Sequence, residues 1–248
     1  MMKRKWLALA VVVVGALGFA APALAQSLSL DLGDGGSSSA RIIQLVALLT
    51  VISLAPSLLV MMTSFTRIIV VLSLLRSALG IQQTPPNPVL ISFALFLTFF
   101  VMAPSLEKAY NNGVLPLIEE EISEREALDR IVEPFHTFML AHVRPKDLQI
   151  FVDMAGKPEI ETPQATPLRI LIPAFMISEL RRAFEIGFLV FIPFLVIDMF
   201  IASTLMSMGM MMLPPVLISL PFKLIFFVIV DGWYMIAGSL VQSFNVAL

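Results

Sequence analysis

The sequence predicts an all-α, integral-membrane-type fold of helical hairpins, and three observations carry that reading. Of 248 residues, 58% are hydrophobic and only 14% charged, against roughly 45–50% and 25% in ordinary globular chains. The mean hydropathy of +0.92 agrees. The apolar residues also fall into long runs punctuated by prolines, at 42–80, 89–103, 186–206 and 214–241. Between them lies a polar stretch, 105–185, with nine basic and fourteen acidic residues. It is too poor in apolar side chains for a large independent domain and is expected to form a smaller helical middle region.

The chain opens with a basic "MMKRKW", an apolar "LALAVVVVGALGFA" and a small-x-small close at Ala23-Leu24-Ala25. That pattern is a secretory signal peptide over residues 1–25, cleaved after Ala25; the alternative is an uncleaved first transmembrane helix. Without Lys3, Arg4 and Lys5 the balance is 13 basic to 18 acidic residues, a formal charge of −5. No basic patch suited to nucleic acid survives. There are no cysteines, so disulfides, zinc-thiolate and iron–sulfur sites are excluded. Residues 26–41, rich in Gly, Ser and Asp, read as a flexible polar tail.

Hydrophobic helices are expected over 42–104. The run 42–80 would span about 57 Å at 1.5 Å per residue, nearly twice a ~30 Å hydrocarbon core. One straight span does not fit, and Pro56 is the natural kink. "TPPNP" at 84–88 is a rigid turn, with Asn87 placed to cap a second helix, Pro88 at its first position and Val89 to about Ala103 as its body. In the middle region Ser123 and Glu126 form a capping box that opens an amphipathic helix, and 155–167 is a proline-rich loop. The last part, 186–248, is expected to be a hairpin of Ile186–Met206 and Pro214–Val241. With the amino end exported, four spans put the acidic middle outside and the turn of that hairpin on the cytoplasmic side.

Catalytic signatures are missing. His136 and His142 are six residues apart, about 240° around a helix, and do not share a face. No metalloprotease, nucleophile-elbow or phosphate-loop motif occurs, and Glu119-Glu120-Glu121 reads as a solvated helix end. No enzyme, no cofactor and no metal site is expected.

Two features stand out. Residues 206–213 hold five of the fifteen methionines, Met206, Met208, Met210, Met211 and Met212, around Gly209 and ahead of Pro214-Pro215. Asp198 and Lys223 are charges embedded in apolar runs, where an unpaired charge costs roughly 2.5–3.5 kcal/mol. Counted from Gly209, Asp198 lies 11 residues before the turn and Lys223 lies 14 after it. In a hairpin they differ in height by about 4.5 Å, within reach of a lysine stem. They are expected to form an ion pair that fixes helix or subunit register; the alternative is that both line a wet surface.

The segments "PAFMISELRRAFEIGFLVFIPFLVIDMFIAS" (173–203), "MGMMMLPP" (208–215) and "LPFKLIFFVIVDGWYMIAGSLVQSF" (220–244) resemble the FliP family of flagellar biosynthetic proteins. "MTSFTRIIVVLSLLRSALG" (62–80) and the following "TPPNPVLISFALFLTFFVMAP" do so too. The likeness covers roughly 40–245. The signal peptide and the DGW-containing tail favour the flagellar branch over related virulence secretion proteins. The resemblance implies a homo-oligomeric core of the export gate in the bacterial inner membrane and flagellar basal body. There it would assemble with FliQ, FliR and other gate components and pass unfolded axial proteins outward. It also implies that assembled subunits stand largely above the bilayer on the periplasmic side, and that Met208, Met210, Met211 and Met212 form a pore gasket. In that gasket Gly209 allows the tight backbone, while Pro214 and Pro215 restart the next helix. A rival reading is a Cu(I) transporter using soft thioethers, against which stand the missing cysteines and the lack of a second methionine cluster beyond Met61-Met62. A purely structural scaffold would explain the hydrophobicity but not the methionines.

The mature chain is expected to begin at Gln26. Intact mass of the membrane-extracted protein tests this; a mass including residues 1–25 would add a further hydrophobic segment and force the orientation to be redrawn.

Overall fold

The computed structural model describes residues 61–81, 83–156, 162–210 and 213–245, with single helical positions between 42 and 60. The expected signal peptide and tail, the kink at Pro56, and the side chains of Met211 and Met212 lie outside the described residues. The chain divides into two units, 1–51 and 52–248. In the first, Ile42, Ile43, Leu45, Val46 and Leu49 are exposed helical positions, and Thr50 Oγ1 donates to the Val46 carbonyl at 2.7 Å.

The second unit is all-α among the described residues. Its helices are α1 (Phe65–Ala78), α2 (Asn87–Ala109), α3 (Leu115–Ile118), α4 (Glu124–His142), α5 (Pro145–Met154), α6 (Leu168–Ser207), α7 (Pro215–Ile229) and α8 (Gly232–Asn245). A π turn, Tyr110–Val114, joins α2 to α3. Gly113 in that turn has Ile131 of α4 so close that a Cβ would sit 2.5 Å from the Ile131 Cγ1. The bare backbone therefore lets α4 approach.

The centre is α1. Ile68, Val71, Leu72 and Leu75 repeat at helical spacing and are fully enclosed. Ile68, Val71 and Leu72 pack on Leu90, Ala94 and Leu97 of α2, Ala183 of α6 and Leu240 of α8, and Leu75 packs with Phe194 of α6 and Phe227 of α7. Gly187 of α6 lies against Leu74, where a Cβ would sit 2.2 Å from the Leu74 Cδ1. A second cluster, Met139, Leu171 and Phe175, joins α4 to α6.

Several boundaries differ from those read in the sequence. Asn87 does not cap α2: Pro86 holds the cap position, and Asn87 Oδ1 instead accepts from Arg76 Nη1 at 2.6 Å. A guanidinium one helix away competes for that side chain. The second helix continues through Pro104 to Ala109, and its axis reaches Ile118. Rather than starting at Ile186, α6 runs for 40 residues from Leu168. The charges that suggested a break fit the helix, because Arg181 pairs with Glu185 one turn on at 2.8 Å and Glu179 is buried and paired. Both composition boundaries, 104/105 and 185/186, thus fall inside helices. The last hydrophobic segment breaks at Val230–Asp231, with a 64° bend between α7 and α8. Asp231 has φ 51, and a Cβ at Gly232 would sit 2.1 Å from Phe227 Cε2. The Asp-Gly pair is the local cause. At Ser123 the cap forms, with Glu126 N–H donating to Ser123 Oγ at 3.4 Å. The Glu126 carboxylate, however, pairs with Arg130 at 2.6 Å, so only half of the capping box is present.

Two helices among the described residues, Asn87–Ile118 and Leu168–Ser207, are long and apolar enough to cross a membrane; the bent pair α7–α8 would make a third. In the most apolar 18-residue stretch of each, only 28% and 11% is buried. Phe96, Phe99 and Phe100 on α2 and Phe184, Phe188 and Phe200 on α6 face outward. Faces of this size require lipid or other subunits to cover them.

Polar groups are turned inward. Arg67 and Glu179 both have fully buried side chains. Arg67 donates from Nε to Glu179 Oε2 at 2.8 Å and from Nη2 to Glu179 Oε1. Its Nη1 donates to the Ser243 carbonyl at 3.1 Å and to Ser243 Oγ at 3.0 Å. The guanidinium lies 3.7 Å from the centre of the Phe244 ring. His142 completes this latch, with Nε2 3.2 Å from the Phe244 carbonyl and Nδ1 2.8 Å from that of Phe138. The last carbonyls of α8, which no helix can satisfy internally, therefore meet Arg67 and His142.

Glu179→Ala would strand a buried guanidinium, a change that commonly costs about 3–5 kcal/mol. Arg67→Met with Glu179→Leu removes both charges and should lose less, although the Ser243 carbonyl then lacks its donor. Thermal unfolding of the detergent-extracted protein followed by circular dichroism reads both. A double variant as unstable as Glu179→Ala would show that the stranded charge is not the source of the loss.

Candidate functional site

The turn between α6 and α7 is built by a helix stop, a methionine-rich bend and a helix start. At the end of α6 the Gly209 N–H donates to the Met206 carbonyl at 3.1 Å and the Met210 N–H to the Leu205 carbonyl at 3.0 Å. Gly209 has φ +75. This is a Schellman motif, in which a left-handed residue lets two amides satisfy helix-end carbonyls. Nothing lies within 4 Å of a Cβ at Gly209, so backbone conformation, not space, calls for glycine. The next helix starts with Pro214 as its cap and Pro215 at its first position, where the missing amide hydrogen costs nothing and φ is already helical. The Leu217 N–H donates to the Pro214 carbonyl at 3.1 Å.

Around this frame Met208 is 62% and Met210 45% exposed, with Met206 and Leu213 also outward. The tip of the hairpin is thus a thioether surface with no partner among the described residues.

Behind the turn the structure brings Asp198 and Lys223 together. Lys223 Nζ lies 2.6 Å from Asp198 Oδ2. Lys223 is buried and Asp198 is half-buried on the pair's outer side. Lys223 also donates to the Ala78 carbonyl at 3.0 Å, a helix-end acceptor at the negative end of α1. Ser219 Oγ donates to Asp198 Oδ1 at 2.6 Å. The ammonium therefore ties α6, α7 and the end of α1 at one point. Gly80, just past that end with φ +78, brings the chain beside α7, where a Cβ would lie 3.9 Å from Val216 Cγ1.

Sequence reasoning missed the Arg67–Glu179 latch and the Ala78 and Ser219 contacts. Arg67 carries the same signal as Asp198, a charge inside an apolar run, and could have been found by it. Glu179 was screened by its neighbours Arg181, Arg182 and Glu185. His136 and His142 are engaged separately, His136 Nε2 standing 2.8 Å from the Thr166 carbonyl. Glu119, Glu120 and Glu121 are exposed beyond α3. Among the described residues no three His, Cys, Asp or Glu side chains are grouped to hold a metal.

Asp198→Ala leaves a buried ammonium with one backbone acceptor, and Lys223→Ala leaves a carboxylate with one serine. The double Ala variant should lose less oligomer on a native gel than the sum of the single losses. A charge swap should recover only part, because Asp at 223 would face the Ala78 carbonyl. Strictly additive losses would mean that the two side chains act separately.

The chain matches the FliP family over residues 48–240. It is 59% identical to the flagellar biosynthetic protein FliP of Caulobacter vibrioides over 226 residues, covering 91% of this chain and 85% of that protein. The corresponding protein of Agrobacterium fabrum is 53% identical over 85% of this chain and 86% of its own length. That of Bacillus subtilis is 54% identical over 82% and 91%. The family match takes in the Arg67–Glu179 pair, the pinned hairpin and the methionine turn, and the chain belongs to the FliP family of flagellar biosynthetic proteins.

Proposed function

We propose that this chain is a channel-forming subunit of the flagellar protein export gate, in which copies of the methionine turn line and seal the pore. Family membership supplies the flagellar context. The observation that carries the finer reading is the placement of Met208 and Met210, exposed at the tip of a hairpin whose base is fixed by buried charges. A gate must stop ions when idle and yield to unlike side chains when an unfolded protein passes. Methionine is unbranched, flexible and apolar, and can repack around different shapes. A ring of such side chains is also a hydrophobic constriction that gates by excluding water.

In this reading several copies assemble with FliQ and FliR in the inner membrane at the basal body, with much of the assembly on the periplasmic side. Unfolded axial proteins are the cargo. The exposed apolar faces of α2 and α6 supply surface for such contacts, and the subunit performs passage and sealing, not bond chemistry. The Cu(I) reading is less well supported. The chain has no cysteine, and the ring nitrogens of His136 and His142 are engaged with the carbonyls of Thr166, Phe138 and Phe244.

Replacing Met210, Met211 and Met212 together with Ala should permit assembly but let small ions leak through the complete gate. Leu at the same three positions should seal nearly as well, since shape and hydrophobicity matter more than sulfur. Ion conductance of cells carrying the gate is the measurement, with swimming of a complemented deletion strain as the functional readout. A tight membrane in the Ala variant would refute the sealing role, and loss of copper uptake in the Leu variant would favour the transporter.

A further inference from the structure

An apolar groove of ≈490 Å³ runs between α1, α6, α7 and α8. Its floor is made by Val71 and Leu75 of α1, Ile186, Val190 and Phe194 of α6, and Phe227 of α7, and α8 flanks it from Gly232 to Ser243. The 11 helical steps from Gly232 to Ser243 correspond to about 16 Å of helix, close to the ~15 Å that one leaflet contributes to a ~30 Å hydrocarbon core. Spread over that length, the cavity has a mean cross-section of about 30 Å². A slot of this width suits a single extended hydrocarbon chain.

The two ends differ. Toward the bend the walls are Phe226, Phe227 and Val230. At the other end lie Ser239 and Ser243, close to the Arg67–Glu179 pair. One turn beyond Ile186, on the face that Ile186, Val190 and Phe194 share at four-residue spacing, is Arg182. It is half-buried. The neighbouring charges are spoken for, Arg67 by Glu179 and Arg181 by Glu185. Arg182 has no ion-pair partner among the described residues and leaves one surplus positive charge at the polar end. From Ile186 to Ile197, α6 then carries no charge. Charge above and an apolar slot below is the profile of an interfacial site.

The geometry points to a phospholipid site: one acyl chain lies in the groove and the headgroup phosphate pairs with the Arg182 guanidinium. A phosphate supplies the oxygen acceptors that a guanidinium fork matches. The tail fills space that would otherwise be void at the junction of four helices. This assignment stands apart from the sealing role of the methionine turn and does not depend on it.

The test uses the full-length chain in membranes and after extraction. A photo-crosslinking benzoylphenylalanine at Met235, an exposed lining residue at the rim, should yield on irradiation in cells an adduct heavier by one phospholipid. A crosslink to a second copy of the chain or to another protein instead would overturn the site. Native mass spectrometry of the extracted chain titrated with phosphatidylglycerol supplies the second readout. Arg182→Gln should weaken binding about tenfold, the scale of one charge-assisted contact, and Val190→Trp should abolish it by filling the slot. Unchanged binding in either variant overturns the proposal. Should Val190→Trp fail to fold, the crosslink at Met235 and the Arg182→Gln titration decide between the same outcomes.

Discussion

The structure depends on one guanidinium. Arg67 projects from the first turn of the central helix and makes all its contacts inside the protein, to Glu179 of α6 and to the end of α8. A buried pair of this kind gains little net energy against its desolvation cost, but its donors are directional and cannot be met in a second register. Sliding α1 by one residue against α6 would separate Arg67 from Glu179 and leave the Ser243 carbonyl unsatisfied. The apolar contacts around it, Ile68 to Leu72 against α2 and α6, tolerate small slips far better.

The far end of α1 follows the same logic. There the helix offers a carbonyl, Ala78, and Lys223 of α7 supplies the charge while remaining paired to Asp198 of α6. The central helix is therefore fixed at both ends by cations, and α6 provides both counter-carboxylates. Fixing α6 and α7 against one reference helix sets the height at which their connecting turn emerges. The outer faces have the opposite character: Phe184, Phe188 and Phe200 are exposed while Arg67, Glu179 and Lys223 are buried. Such a chain takes its specificity from internal polar contacts and leaves its apolar surface to lipid and neighbours.

The all-α class and its hydrophobic helices were legible because composition and run length report them directly. That Asp198 and Lys223 meet was legible for a different reason. Each is a lone charge in an apolar run, and a glycine turn supplies a fixed origin from which heights can be counted. The start of α6 at Leu168 was hidden because hydropathy marks where a helix becomes apolar, not where it begins. Glu179 was hidden by the charges around it. The contact with Ala78 could not be read at all, since a backbone carbonyl has no side-chain signature. The break at Asp231-Gly232 was written in the sequence, but apolar residues on either side make the two helices look like one run.

The methionine turn differs from the hairpin base in the kind of force that defines it. At the base, charge-assisted bonds of 2.6–3.0 Å specify one arrangement and penalise any other. At the tip, the Gly209 cap ends α6 and Pro214 and Pro215 start α7, while Met208 and Met210 have no directional side-chain partner among the described residues. Dispersion between thioethers has no preferred angle and changes little as the groups repack. A surface that must conform to many shapes benefits from this tolerance, provided that its anchor does not share it. Loosening the base would move every thioether together, whereas exchanging one methionine for another flexible apolar residue would change only the local fill. Rigidity in α1, α6 and α7 is thus the condition under which a soft turn can remain in one place.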